Sequence, residues 1–245
     1  MNTRSIQPEI LDSLPVDDPG AMQSRRDLQK VNAFMGHVGV VARALRAAAT
    51  PQRLIVELGA GDGSLLLKVA RRLGPRPGTR AVFVDRLPSV TQATRREFED
   101  AGWTIDVREA DVFEWLSRPD SESSDATIAN LFLHHFRDDQ LVHLLNLAAQ
   151  QTSRFIACEP LRSRTALAGV SLLRLIGCND ITLHDGNLSV RAGFRDRELT
   201  RLWPRDPAWE IAEGRRGLFT HGFIAARPQP PTAAAPASRK SRTSA

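Results

Sequence analysis

Three observations on this 245-residue sequence predict an α/β fold: a mostly parallel sheet with an antiparallel hairpin at its C-terminal edge, preceded by a helical cap. From Arg53 onward, short apolar runs alternate with helix-length stripes, which is how a parallel sheet with crossover helices is encoded. A junction with three alternating glycines, VELGAGDGS at residues 56 to 64, joins the first run to the first stripe. Near the end, WEIAEG and LFTHGFIAAR alternate apolar and polar positions about a GRRG turn, the pattern of a hairpin.

The elements follow in order. PEILDSLPVDDPGAM holds prolines that forbid a regular element. Residues 24 to 49 place Leu28, Val31, Met35, Val38, Ala42 and Leu45 on one helical stripe, which Gly36 and Gly39 break into two helices. LIVEL is the first strand, and the helix SLLLKVARRL after it stops at Gly74 with Pro75 beyond. AVFVD, WTIDV, DATIANLF and RFIACEP are four further strands. Between them lie a helix at residues 91 to 101, a short FEWL turn and a helix at 138 to 151 with Asp138 as its N-cap. Beyond Pro160 come a helix at 161 to 176, a long loop ITLHDGNLSVRAGF and a short helix at 196 to 203. Three regions result: an extended segment and helical cap at 1–50, a core at 51–227 with a lid insertion near 161–194, and a tail at 228–245.

Composition narrows the function. With 42% hydrophobic and 25% charged residues the chain is globular rather than collagen-like or disulfide-framed. Cys158 and Cys178 form no CxxC or His/Cys cluster, so no metal is expected and both are read as core thiols. The first residues lack the apolar run of a secretory signal, and no stretch suits a membrane span, so a cytoplasmic location is expected. The net charge of +5 suggests nucleic acid, but Arg239, Lys240 and Arg242 lie in the acid-free tail. Without those three, 30 bases face 28 acids over residues 1 to 227, a net +2 that is ordinary for an enzyme. The Pro/Ala/Ser-rich tail reads as disordered.

The strand-to-helix junction carries the sharpest signal. Gly59, Ala60, Gly61 and Gly63 allow positive φ and close approach of a ligand to backbone amides at a helix start. A ligand-free turn does not need three alternating glycines. The dinucleotide fingerprint GxGxxG would put its third glycine one residue later, and no GK[ST] follows for a phosphate-binding Walker loop. Asp85, followed by Arg86, ends the second strand, where a carboxylate can accept from both ribose hydroxyls; alone, it would also suit a nicotinamide cofactor. A second acid, Asp111, follows the third strand with Val112 beside it.

With Glu57 two residues ahead, the GxGxG loop resembles motif I of class I S-adenosylmethionine-dependent methyltransferases, and the resemblance extends over roughly residues 52 to 227. It implies a Rossmann-like seven-stranded sheet and S-adenosyl-L-methionine as cofactor. It further implies that Gly59 to Gly63 pass beneath the methionine and ribose, that Glu57 orders the loop, and that Asp85 holds the ribose. Asp111 would then accept from the adenine amino group with Val112 beside the ring, and Asn130 would border the methyl donor. Arg26 and Asn32, in the preceding helix, are candidates to reach the methionine carboxylate.

His134 and His135 follow the fourth strand, at the sheet edge where ligands of open α/β folds bind. Their HHF element resembles the LHH segment of methyltransferases related to ubiquinone and menaquinone biosynthesis. One of the two is the candidate base, with His184 and His221 as alternates; packing or helix capping is the competing explanation. The acceptor is approached by exclusion. ANLF replaces the [DNS]PP[YF] element of adenine amino methylation, and Cys158 is not preceded by the proline of cytosine methyltransferases. ALAGVSLLRLIG offers an apolar lining for a small aromatic or lipid-like molecule. Residues 8 to 37, PEILDSLPVDDPGAMQSRRDLQKVNAFMGH, look similar to the opening segment of bacterial methyltransferases that accompany polyketide and phenolic-lipid synthesis. Oxygen methylation of a small phenolic acceptor is the expectation. Carbon methylation of a quinone precursor, a nucleic-acid modifier using the tail, and a cofactor-sensing protein without catalysis are the alternatives.

Overall fold

The computed structural model describes residues 1, 3–15, 17–118 and 122–228. The tail assigned to 228–245 lies, beyond residue 228, outside the described residues. Seven strands form one sheet: β1 (Leu54–Leu58), β2 (Thr79–Asp85), β3 (Trp103–Glu109), β4 (Ala126–Asn130), β5 (Arg154–Pro160), β6 (Glu210–Arg216) and β7 (Thr220–Ala226). Their order is β3-β2-β1-β4-β5-β7-β6, with the first five parallel and β7 antiparallel to both neighbours. Strand order reverses between β1 and β4, and every residue of these two central strands is buried. Open sheets bind ligands at that reversal, beyond the carboxyl ends of the strands.

Two helical layers cover the sheet. On one face α3 (His37–Arg46), α4 (Ser64–Leu73) and α5 (Gln92–Asp100) pack around Phe83, Phe98 and Trp103. On the other, α6 (Val112–Leu116), α7 (Asp138–Gln151) and α10 (Glu198–Leu202) pack around Phe155, Trp203 and Phe223. Above the carboxyl edge, α2 (Pro19–Met35), α8 (Arg164–Leu172) and α9 (Asp180–Ala192) enclose a smaller apolar cluster that includes Val31, Val170 and Val190. None of the helices among the described residues is long and apolar enough to cross a membrane. Both cysteines are buried and unbridged.

Several local expectations are corrected. ITLHDGNLSVRAGF is mostly the helix α9, because Asn179 caps it by accepting from Thr182 N at 2.9 Å and Gly186 lets Val170 pack against its backbone. The proline-rich opening contains a short helix, α1 (Ile10–Ser13), and Pro19 begins α2, where its missing N–H costs nothing. Gly36 alone separates α2 from α3, with φ of 71°, and Gly39 lies within α3. Asp138 is the first residue of α7, and the N-cap is Arg137, whose amide donates to the Gln140 side chain at 3.0 Å. In the hairpin, Gly214 to Arg216 still belong to β6, and the chain turns at residues 217–219.

Candidate active site

β1 delivers the chain into the glycine loop at the centre of the carboxyl edge. Gly59 adopts φ of 67°, and a Cβ there would lie 2.2 Å from the Phe132 ring, so only glycine lets the loop pass beneath the β4 turn. Gly61 donates its amide to Asp85 Oδ2 at 2.8 Å, and Asp85 Oδ1 accepts from Leu87 N at 2.9 Å. One carboxylate thus ties the β1 loop to the end of β2. Asp111 caps α6, accepting from Phe113 N at 2.8 Å, with Val112 buried beside it.

These residues border a cleft of about 770 Å³. Glu57, Gly59, Ala60, Gly61, Asp85 and Arg86 line it from β1 and β2, and Asp111, Val112, Asn130, His134 and His135 from β3 and β4. Gly63 does not; its φ of 71° starts α4, and its α-carbon faces Phe83. Of the two α2 candidates, Asn32 lines the cleft and Arg26 is exposed elsewhere, while Arg25 and Gln29 border the cleft.

Two buried acceptors in the cleft lack partners among the described residues: Glu57 Oε2 and Asn130 Oδ1. The Asn130 amide group donates to Asn32 Oδ1 at 3.0 Å, which fixes its oxygen as the free end. Burial, with Asp62 and Asp85 nearby, holds the Glu57 carboxyl well above the usual carboxylate range. Paired carboxylates at two strand ends, unpaired acceptors and a glycine cradle fit a cationic nucleoside.

A second, smaller chamber of about 210 Å³ opens beside the cleft. Its walls are apolar, with Leu28 and Val31 from α2, Ala166 and Val170 from α8, and Phe219 from the hairpin turn. Glu9, Leu131, His134 and His135 line both spaces and so mark their junction. Leu131 has φ of 50°, a left-handed conformation costly for a branched side chain, at the point where β4 turns into this junction.

The two histidines are electrically distinct. His134 Nδ1 lies 2.7 Å from Glu159 Oε2, and Nε2 lies 3.5 Å from Glu9 Oε1. Burial lowers its pKa, but hydrogen bonds and charges from Glu159 and Glu9 outweigh that and hold it at about 9. His135, with ring centroid 4.2 Å from that of His134, is pushed down to about 4 by burial and by the neighbouring charge. Glu159 also accepts from Phe132 N at 3.0 Å and Leu133 N at 2.8 Å, so one buried carboxylate shapes the turn and orients the ring. Glu9, His134 and His135 offer three ligand atoms within 4.8 Å of one another, the one such cluster among the described residues.

The remaining sequence candidates fall outside the junction. His184 is exposed on α9, and His221 is buried in the hairpin with Nε2 2.8 Å from Glu213. Conversely, Glu159 and Glu9 escaped the sequence reading. An acid at the carboxyl end of β5, one strand from His134, was a usable signal for the first. Nothing local marks Glu9, which arrives ahead of α1 on a strap formed by residues 3–15. Ser5 N donates to Arg191 O at 3.1 Å, and Ile10 N and Leu11 N donate to the two Asp185 oxygens at 2.9 and 3.0 Å.

Comparison with known proteins places this geometry. A family model described as "Methyltransferase domain" matches residues 55–153. No curated protein sequence matches. Among solved structures, the plantazolicin methyltransferase BamL, in complex with a triazolic desmethylPZN analog and SAH, aligns with a TM-score of 0.62 at 10% identity, over 89% of this chain and 93% of its own. An O-methyltransferase family protein from Burkholderia thailandensis gives 0.58 at 18% identity, over 86% of this chain and 60% of its own. The pyocyanin biosynthetic protein PhzM gives 0.54 at 18%, over 86% of this chain and 59% of its own. At such identities the likeness is one of fold, and the matched model identifies residues 55–153 as a methyltransferase domain. With the GxGxG loop wired to Asp85 and the seven-stranded order in place, the chain carries a methyltransferase domain over residues 55–153, set in the fold of the solved methyltransferases it resembles.

Proposed function

We propose that the enzyme methylates a small hydrophobic acceptor, phenolic or polyketide-derived, at oxygen. The observation that carries this reading is the apolar chamber of about 210 Å³ that meets the nucleoside cleft at His134. A mainly apolar wall, with Glu9, His134 and His135 where it meets the cleft and Ser24, Thr182, Asp185 and Ser189 elsewhere on it, suits an aromatic ring bearing a reactive hydroxyl. The neighbours BamL and PhzM, described as a plantazolicin methyltransferase and a pyocyanin biosynthetic protein, accord with a small-molecule acceptor.

In this reading Asp85 holds the ribose, Asp111 the adenine amino group with Val112 beside the ring, and the Gly59–Gly63 loop supports the methionine part. Glu57 and Asn130 supply the buried acceptors near the donor, and Arg86 borders the nucleoside. S-adenosylmethionine brings an electrophilic methyl group on a sulfonium, so the chain's task is alignment, exclusion of water and management of one proton. A phenol has a pKa of about 10, and roughly one molecule in a thousand is ionised at neutral pH. His134, at about 9, keeps its proton at neutral pH, with Nδ1 on Glu159 and Nε2 toward Glu9, so the neutral ring of His135, at about 4 and bordering both cavities, is the base for that proton. A base so placed contributes about 10² to 10⁴ in rate.

The test is a panel of phenols, resorcinols and quinols with labelled donor, with products assigned by mass spectrometry and NMR. O-methyl ethers are expected, and the His135→Ala variant should lose at least about 10²-fold in kcat with cofactor affinity unchanged. Ring-carbon methylation would move the assignment to quinone precursors. Labelled RNA, with labelling lost on removal of residues 229–245, would replace the reading altogether.

A further inference from the structure

We propose that Phe219, stacked on Phe34, is a specificity-determining residue: it walls the apolar chamber on its solvent side and limits how long a substituent the acceptor ring can carry. The proposal rests on the small-phenol reading and adds to it a limit on acceptor size. Phe34 and Phe219 line the chamber but not the donor cleft, so they stand clear of the junction where methyl transfer takes place. Their ring centroids are 5.0 Å apart, with planes 22° from parallel. Phe34 is 49% exposed and Phe219 is half-buried, so the stacked pair separates the chamber from water.

The ring is held in place from three elements. Helix α8 has glycine at position 169, where a Cβ would lie 2.4 Å from Phe219 Cε1, so the ring rests on bare helix backbone. The turn that carries it is tied down on both sides. Phe219 O accepts from Leu161 N at 2.8 Å, just past β5, and the buried Thr220 hydroxyl donates to Met35 O at 2.9 Å, one residue from Phe34. Among the described residues, neither α8 nor this turn lines the donor cleft, so the wall can change without disturbing the nucleoside. A side chain that bounds the acceptor alters the ranking of acceptors by size, whereas one that only stabilises the fold lowers all of them alike. Positions 219 and 169 should act in opposite directions. Truncating Phe219 deepens the chamber; a methyl at 169, which itself lines the chamber, narrows it and displaces the ring.

The probes are phenols with an unbranched 4-alkyl chain, from methyl to octyl. Their binding to the full chain loaded with S-adenosylhomocysteine is measured by calorimetry, and their methylation with labelled donor. In the native enzyme affinity should rise about three- to fourfold per methylene, then stop rising where the chain meets the ring. Phe219→Ala should move that break to a longer chain, and Phe219→Trp and Gly169→Ala to a shorter one. The ratio of affinities for a long and a short alkylphenol should shift by at least about tenfold, in opposite directions for the two kinds of variant. Unchanged affinity for S-adenosylhomocysteine shows that each variant is folded, and the two Phe219 variants decide the matter should Gly169→Ala not fold. A break that stays at the same chain length in both Phe219 variants overturns the proposal, as does an equal loss at every chain length. If the break moves as expected but no phenol is methylated, the acceptor reading fails and the Phe219 wall stands. If phenols are methylated with a break indifferent to position 219, the reading stands and the wall falls. Failure of every alkylphenol to bind overturns both.

Discussion

Asp85 illustrates how much a single side chain in this site does before any ligand arrives. Its two oxygens accept from the Gly61 and Leu87 amides, so it holds the cofactor loop against β2 as well as facing the cleft. Asp85→Ala should weaken S-adenosylmethionine binding by about 1 to 3 kcal/mol, from loss of a charged hydrogen-bond acceptor together with loosening of the loop. Calorimetric affinity within twofold of the native value would remove it from the ribose role. Residues of this kind were legible because residue type and position at a strand end suffice: Glu57, Asp85, Asp111 and Asn130 all follow from counting strands. The difference between His134 and His135 was not legible. Both are imidazoles at the same turn, and only the contacts with Glu159 and Glu9 hold one at about 9 while burial drives the other to about 4.

The glycine loop poses a sharper question about space at the scale of an element. Gly59 and Gly61 share positive φ, but a Cβ at Gly59 would enter the Phe132 ring, whereas at Gly61 nothing lies within 4 Å. Gly59→Ala should therefore lower stability by about 1 to 3 kcal/mol through steric clash and also impair cofactor binding, because the ring and the β4 turn must shift. Gly61→Ala should cost only the backbone strain, about 1 to 2 kcal/mol, so its melting temperature should fall less. Equal losses in the two variants would mean that backbone strain alone sets the effect. The strands and the core helices were readable because their apolar periods are long and uninterrupted. The helix α9 was not: Asp185, Gly186 and Asn187 spell a turn. Tertiary contacts reassign each of these signals. The Asp185 carboxylate turns outward to the strap amides, Gly186 accommodates Val170, and the Asn187 side chain donates to Leu183 O at 2.8 Å within the helix.

For the whole molecule, the strap, α2 and α9 together roof a site whose floor is the sheet edge. Asp185 is the buried post on which the strap hangs, with two backbone amides on one carboxylate. Asp185→Ala should free residues 3–15 without unfolding the sheet. The expected signs are faster proteolysis near the N-terminus, weaker acceptor binding and nearly native cofactor affinity. Protection of the N-terminus equal to that of the native enzyme would show that Arg4 and the Ser5 contact suffice to hold the strap. The strap meets the β4 turn and α9 through residues 130 to 180 positions apart in the chain.

The sequence alone determined the strands of the sheet, the glycine loop and the carboxylates at the strand ends, while the cofactor class came from the resemblance these residues carry. Each of these depends on local periodicity or on a residue's place at a strand end, and neither requires knowledge of distant partners. The tertiary structure decided which histidine bears a charge, where the apolar chamber lies and that Glu9 and its neighbours border the cleft. Those features arise from pairings across the chain, where burial withdraws water and leaves a few opposing charges to set the balance.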